Sequence, residues 1–64
     1  MKETELWARL RVHLGEGYYR VWAAEFNLAD LGQKTVAEAV RDGIPSRDIW
    51  RAAWAALELP ASER

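Results

Sequence analysis

The sequence has no cysteine, a single histidine and only two prolines among its 64 residues. Without cysteine there is no disulfide framework, which secreted domains of this size usually need. Residues 1–5 do not form a cationic segment leading into an apolar one, as a secretion signal does. The longest apolar run, from Ala52 to Leu57, has six residues, whereas a membrane span needs about 20. We therefore expect a cytoplasmic protein that makes no membrane contact.

The sequence also lacks an excess of charge of either sign. Nine lysines and arginines stand against ten aspartates and glutamates, which gives a net charge of −1. No overall electrostatic field therefore draws the chain to nucleic acid or to an anionic membrane. Binding of either kind would need a local basic patch.

Side chains that could carry catalysis are equally scarce. Serines occur only at a predicted helix start, Ser46, and at Ser62, and the one histidine, His13, is interpreted as a boundary residue near the end of the first helix. No nucleophile with its base and no set of metal ligands can be assembled from this inventory. Glu25 lies partly on an apolar helix face, so we expect it to pair with an arginine or to reach solvent. The sequence predicts no enzyme, no catalytic residue, no cofactor and no metal.

What the sequence does contain is the composition of a folded domain. Half of the residues are apolar and 30% are charged, which excludes a disordered chain. A protein of 7.3 kDa removes about 60% of its surface from water on folding. The conformational entropy lost nearly offsets the resulting hydrophobic gain. We predict one small, marginally stable helical domain over residues 1–64.

Apolar residues recur at spacings of three and four, and no segment alternates apolar and polar residues as a half-buried strand does. The pattern predicts an all-α protein, a compact bundle of four short helices with a tryptophan-rich core. The predicted helices cover about residues 5–14, 18–31, 36–42 and 47–58.

Local signals mark several helix ends. Thr4 and Ser46 are predicted N-caps of the first and fourth helices. Thr35 and Glu38 have the spacing of a capping box, and Gly43 is placed to end the third helix. Proline cannot continue a helix, so Pro60 is predicted to end the fourth and to leave residues 60–64 as a frayed tail.

Aromatic residues are the strongest feature of the chain, since it holds four tryptophans, two tyrosines and one phenylalanine. All four tryptophans fall on predicted buried faces, and the first interpretation is that they form the core. The alternative is that Tyr19 and Trp50, at the edges of these faces, stay partly exposed as anchors for a protein partner. On this basis we expect a non-enzymatic protein-interaction module with an unknown protein partner, itself a monomer or weak homodimer.

The competing hypothesis is a helix-turn-helix-like protein that binds nucleic acid through the fourth helix. Four residues have the spacing typical of that motif: Ala39, Gly43, Ile44 and Ile49. Arg47 and Arg51 would then contact the nucleic acid. Against this, Glu38 and Asp42 occupy flanking positions that should be apolar, and Asp48 lies beside the two arginines. We therefore do not expect nucleic-acid binding.

Several motifs in order also resemble a known family. They are Trp7, His13-Leu14-Gly15-Glu16, Tyr18, Leu28-Ala29-Asp30-Leu31-Gly32, Thr35-Val36-Ala37-Glu38-Ala39, Ile49-Trp50-Arg51-Ala52 and the stretch from Ala56 to Arg64. Together they cover nearly the whole chain, which is similar to a family of very small actinobacterial proteins of unknown function. The resemblance implies a cytoplasmic protein without assigned activity, encoded near the recombination regulator RecX, and it implies no functional residues. Trp54 departs from the pattern, since relatives are expected to have cysteine or a smaller residue there.

Overall fold

The computed structural model describes residues 1–64, and it is all-α, as the sequence predicts. The four helices are α1 (Glu3–Leu14), α2 (Tyr19–Glu25), α3 (Val36–Arg41) and α4 (Ser46–Ala56), with two short 3₁₀ turns at Ala29–Leu31 and Ala61–Glu63. There is no strand, only an isolated antiparallel bridge between Leu28 and Lys34. The bundle measures 25 × 25 × 21 Å.

Two predicted N-caps are wrong. Helix α1 begins at Glu3 with Lys2 in the cap position, so Thr4 lies inside the helix. Glu3 and Glu5 then both occupy the first turn, where the helix dipole favours negative charge. Helix α4 has Pro45 in the cap position, and the Pro45 carbonyl accepts hydrogen bonds from the N–H groups two and three residues beyond Ser46.

Helix α2 is shorter than predicted, because it ends at Glu25 instead of continuing to residue 31. In a continuous helix the N–H of Leu28 would bond to the carbonyl four residues earlier. It bonds instead to the carbonyl of Lys34 at 2.8 Å, and the Leu28 side chain is fully buried. Phe26 takes an extended conformation and stacks on Trp22 with ring centroids 4.9 Å apart. The bond from Leu28 to Lys34 and the burial of the Leu28 side chain therefore replace the last helical turns that the apolar spacing predicts.

Helix α3 confirms its predicted signals. The Thr35 hydroxyl accepts a hydrogen bond from the Glu38 N–H at 3.1 Å, and the Glu38 carboxylate accepts one from the Thr35 N–H at 2.9 Å. At the other end Gly43 has φ +78°, and Ile44 N–H bonds to the Ala39 carbonyl at 3.0 Å. This is the Schellman arrangement, in which a left-handed residue closes the helix.

Helix α4 ends two residues earlier than predicted, in the same arrangement but without glycine. Leu59 N–H bonds to the Trp54 carbonyl and Glu58 N–H to the Ala55 carbonyl, both at 3.2 Å. Glu58 has φ +54°, a left-handed conformation that is costly for a residue with a β-carbon. The chain then turns back toward α1.

All four helices contribute to one core, which confirms the predicted bundle. Its twelve buried side chains are Leu6, Leu10, Tyr19, Trp22, Ala23, Leu28, Val36, Ala39, Ile49, Trp50, Ala52 and Ala53. Trp22 and Trp50 belong to it, whereas Trp7 and Trp54 are half-buried and pack against it. Two of the four indoles therefore remain accessible at the surface.

Candidate functional site

The two aromatic residues that the alternative interpretation leaves partly exposed are buried. Tyr19 is 7% exposed and Trp50 is 1% exposed. Tyr19 begins α2 and packs edge-on against Trp7, with ring centroids 6.4 Å apart. Trp50 lies beneath residues 60–64. The alternative is therefore wrong about the exposure of both rings, and their role as partner contacts loses the observation on which it depended.

The exposed aromatic rings belong to other residues, which the helical pattern placed on apolar faces. Tyr18 is 52% exposed and Phe26 is 42% exposed, with Val21 also exposed between them along the chain. Tyr18 lies in the cap position of α2 and Phe26 just after its end. Both exposed rings therefore flank the ends of α2, which has only seven residues.

A groove between α1 and α2 has a volume of about 530 Å³. We call it the α1–α2 groove, and nine residues line it: Thr4, Trp7, Ala8, Arg11, Tyr19, Arg20, Ala23, Ala24 and Ala37. Its floor combines two aromatic rings with four alanines drawn from α1, α2 and α3. Small side chains let a ligand approach the helices closely, while the rings offer flat apolar area.

Both charged residues of the groove are arginines. Arg11 Nη1 lies 3.8 Å from the Glu16 carboxylate, and both side chains are exposed, so this ion pair is weak. The Arg20 guanidinium lies 5.3 Å from the centre of the Tyr19 ring. The Trp7 indole N–H is already donated to Glu3 at 3.2 Å. The groove therefore offers apolar surface on its floor and positive charge at its rim.

Sequence reasoning missed this groove for an identifiable reason. Its alanines come from three separate helices, and an alanine gives no signal of whether it faces a neighbour or an open cleft. The presence of Arg11 and Arg20 on facing helices depends on how α1 and α2 pack. Only a prediction of that packing could have found it.

A second arrangement holds residues 60–64, which the sequence predicts to be frayed. Trp50 Nε1 donates to the backbone oxygens of Glu63 at 3.0 Å and Arg64 at 3.1 Å. Trp54 Nε1 donates to the Pro60 carbonyl at 2.9 Å. Buried indole N–H groups need an acceptor, and the 60–64 segment supplies the acceptors for Trp50 and Trp54.

Two side chains of α1 complete this contact. Arg9 Nη1 donates to the Arg64 carbonyl at 3.3 Å, and its guanidinium lies 5.5 Å from the Trp50 ring centre. His13 Nε2 lies 3.0 Å from the Glu63 carboxylate, and its ring stacks on Trp50 with centroids 5.7 Å apart. We call the four residues that hold the 60–64 segment the cradle: Arg9, His13, Trp50 and Trp54.

The arginines of α4 lie where the nucleic-acid hypothesis needs them. Arg47 and Arg51 are both exposed and four residues apart on one helix. Arg47 Nε lies 3.9 Å from the Asp48 carboxylate, which reduces the positive potential of this face. Ala39 and Ile49 are fully buried, consistent with structural positions of a helix-turn-helix. Contact between these arginines and nucleic acid stays the untested alternative.

The titratable groups show one clear perturbation, at Asp42. Asp42 accepts a hydrogen bond from Lys34 at 2.8 Å, and this bond, the Lys34 charge and then Arg41 hold the pKa of the Asp42 carboxyl below its usual range. Lys34 precedes α3 and Asp42 follows it, so the pair links the two ends of that helix.

No group of three or more histidine, aspartate or glutamate side chains is placed to share a metal ion. No helix has the length and apolar character to cross a membrane.

Comparison with known proteins identifies a family. A family model described as "Protein of unknown function (DUF3046)" matches residues 1–62. No curated protein and no solved structure matches the chain.

Proposed function

We propose that this chain, which belongs to the DUF3046 family of proteins of unknown function, is a non-enzymatic protein-interaction module that binds its partner in the α1–α2 groove. The observation that carries the proposal is the groove itself, with an apolar floor and arginines as its only charged residues. Tryptophan, tyrosine and arginine are the residue types that most often dominate binding energy at protein interfaces. All three occur here within one cleft.

The chemistry of the groove specifies the partner segment. Trp7, Tyr19 and the alanines favour aliphatic side chains, whose burial supplies the affinity. Arg11 and Arg20 favour carboxylates beside those side chains, since guanidinium groups form bidentate hydrogen bonds with carboxylates. The partner is therefore a protein segment with aliphatic residues on one face and aspartate or glutamate beside them. An amphipathic helix lying in the groove is the recognition mode that fits this description.

The first experiment is an NMR titration of the ¹⁵N-labelled protein with a synthetic amphipathic helical peptide, leucine on one face and glutamate beside it. We expect the largest shift changes at the backbone amides of Ala8, Ala23, Ala24 and Ala37. Two matched peptides serve as controls, one with lysine for each glutamate and one with serine for each leucine. Equal response to all three peptides, or changes centred elsewhere, would contradict the proposal.

A variant pair then tests the groove directly. Ala37→Glu places a bulky carboxylate in the groove, yet Ala37 is the second residue of α3, where the helix dipole favours negative charge. The fold should therefore survive. We expect peptide affinity to fall by about tenfold or more, which corresponds to about 1.4 kcal/mol. The matched control is Ala29→Glu, an exposed alanine at the start of a turn outside the groove, and it should bind like the wild type.

The competing function is tested by salt-dependent titration of fluorescently labelled DNA duplexes. If α4 bound DNA, affinity would fall with salt at a logarithmic slope of about −0.9 for each phosphate contacted. Because Asp48 lies beside Arg47 and the net charge is −1, we expect nothing tighter than non-specific binding, about 10⁻⁴ to 10⁻⁶ M at physiological salt. Sub-micromolar, salt-sensitive affinity that disappears in the Arg47→Ala/Arg51→Ala variant would replace our proposal with the helix-turn-helix.

A further inference from the structure

The cradle binds the 60–64 segment of its own chain, and a short, strained hinge connects α4 to that segment. We infer that the cradle also binds the 60–64 segment of a second copy of this chain, so that two copies exchange these segments and form a symmetric dimer. This site uses the cradle residues and not the side chains that give the α1–α2 groove its charge. The inference therefore stands independently of the function proposed for that groove.

The hold of the cradle on the segment is light. All residues of the 60–64 segment are themselves exposed, although the segment covers the buried Trp50 ring. The segment is held through backbone oxygens at Pro60, Glu63 and Arg64, through the Glu63 carboxylate, and through the Arg64 guanidinium, which lies 5.4 Å from the centre of the Trp54 ring. Few polar contacts must therefore offset the conformational entropy of ordering the segment. Such segments belong to the parts of a protein that open locally without global unfolding.

The hinge between α4 and the segment is strained. Residues 57–59 connect them, and Glu58 in this hinge has φ +54°, which glycine adopts easily and other residues do not. When the hinge extends, Glu58 can return to negative φ. Strained short hinges favour the exchange of elements between copies.

The second copy is the occupant that the contacts specify. The cradle is complementary to the Pro60 carbonyl, the Glu63 backbone and carboxylate, and the Arg64 carbonyl, and another copy presents the same groups at the same spacing. Exchange therefore conserves the contacts between cradle and segment and removes the strain at Glu58, but it breaks the two hydrogen bonds that close α4 and unpacks Leu57 and Leu59 from the core. It is opposed by the high effective concentration of a segment attached to its own chain, so the wild-type dimer is weak.

The short hinge also places the interface. Three extended residues span at most about 10 Å, so the two copies must meet close to the cradle. Val12 lies there, lining the same cleft as Glu63, and it is 76% exposed, the most exposed of the large apolar side chains. Arginines and glutamates alternate around it, among them Glu5 and Arg9, so this face does not repel its copy. The dimer would cover the apolar side chain that the monomer leaves in water.

Sedimentation velocity of the full chain tests the inference with opposed hinge variants. Glu58→Gly relaxes the closed hinge in both copies, and we expect it to weaken dimerisation by about 30-fold. Glu58→Pro fixes φ near −65° and forbids the closed hinge, so we expect dimers at concentrations where the wild type is monomeric. If Glu58→Pro does not fold, the comparison of wild type with Glu58→Gly decides: equal self-association of these two, or its absence in both at about 1 mM, refutes the exchange.

An isotope-filtered NOE experiment identifies the contact itself. It uses an equal mixture of labelled and unlabelled Glu58→Pro chains, or of wild-type chains at high concentration if the proline variant does not fold. We expect intermolecular NOEs from the Trp54 indole N–H of one copy to Pro60 and Ala61 of the other. A dimer in which these NOEs arise only within one chain refutes the exchange, and it does so whatever the outcome at the α1–α2 groove.

Discussion

Replacement of Glu58 by glycine should stabilise this protein, which is the reverse of what glycine usually does near a helix. The structure contains its own reference for the change. Helices α3 and α4 both end in a Schellman arrangement, the first with Gly43 at φ +78° and the second with Glu58 at φ +54°. The closing hydrogen bonds are similar, at 3.0 Å for Ile44 to Ala39 and 3.2 Å for Leu59 to Trp54. The two helix ends differ in the residue at the left-handed position, which is glycine after α3 and glutamate after α4.

Three effects set the magnitude. A residue with a β-carbon loses about 1–2 kcal/mol in the left-handed conformation, and glycine recovers this. Glycine also gains entropy in the unfolded chain, which costs about 0.4–1 kcal/mol. Removal of a carboxylate from a helix C-terminus contributes about 0.3–1 kcal/mol, because the dipole disfavours negative charge there. Glu58 is exposed and forms no ion pair, so no contact is lost, and the net gain is about 1 kcal/mol.

The assay is thermal unfolding followed by circular dichroism. In a domain of this size a gain of about 1 kcal/mol raises Tm by about 4–8 °C. Glu58→Ala separates the two causes, because it removes the charge but keeps the β-carbon, and it should recover only a few tenths of a kcal/mol. Gly43→Ala is the opposite control: an added β-carbon there meets nothing within 4 Å, so its cost of about 1 kcal/mol comes from the backbone alone.

The reasoning is refuted if Glu58→Gly and Glu58→Ala have the same Tm, because charge and not backbone conformation would then account for the effect. It is refuted equally if Glu58→Gly lowers Tm while Gly43→Ala leaves it unchanged. In that case the left-handed conformation would not limit the stability of either helix end.

Three further predictions concern the core, a cap and an ion pair. Trp22→Ala should cost about 3–5 kcal/mol because the ring is only 5% exposed, and a cooperative thermal transition retained near the wild-type Tm would show that the ring is not part of the core. Thr35→Ala should cost about 1 kcal/mol by removing the cap of α3, and a neutral result in urea unfolding would mean that the hydroxyl does not support the helix. Because Lys34 lowers the Asp42 pKa below 3.8, the pair stabilises the fold fully above that pH and its contribution is lost as the pH falls through the lowered value. Lys34→Met should raise the Asp42 pKa in an NMR titration, and an unchanged value would show that the contact at 2.8 Å does not form in solution.

Some elements were predictable because their signals are local. The start of α3 depends on two side chains three residues apart, and its end depends on one glycine, so both boundaries were predicted to within one residue. Helix α2 shows the opposite case. Its apolar spacing continues through Leu28 and Leu31, yet the chain leaves the helix because Leu28 bonds to Lys34 and enters the core. The spacing of apolar residues is the same whether a residue is buried as part of a helix or is buried after the chain has left the helix.

The candidate sites were less predictable than the fold. Trp50 and Trp54 were correctly placed on the inner face of α4, but their indole N–H groups also need acceptors. The helical periodicity of apolar residues does not register this need for acceptors. The need was nevertheless the one signal in the sequence that residues 60–64 are held and not frayed. Trp50 is buried for the same reason, since the segment that satisfies its N–H also covers its ring.

The amino-acid sequence alone determined the class of the fold, the number of helices, the capping of α3 and the apolar faces that form the core, because each depends on residues within one or two turns of each other. It also determined that half the chain is apolar while its net charge is near zero. Tertiary structure alone decided which aromatic rings are exposed, where α2 ends, that Arg11 and Arg20 share a groove, and that residues 60–64 lie against α1 and α4. The physical reason is that these features depend on which helix faces pack together. In so small a core, the face that one helix buries depends on the faces that all the other helices bury.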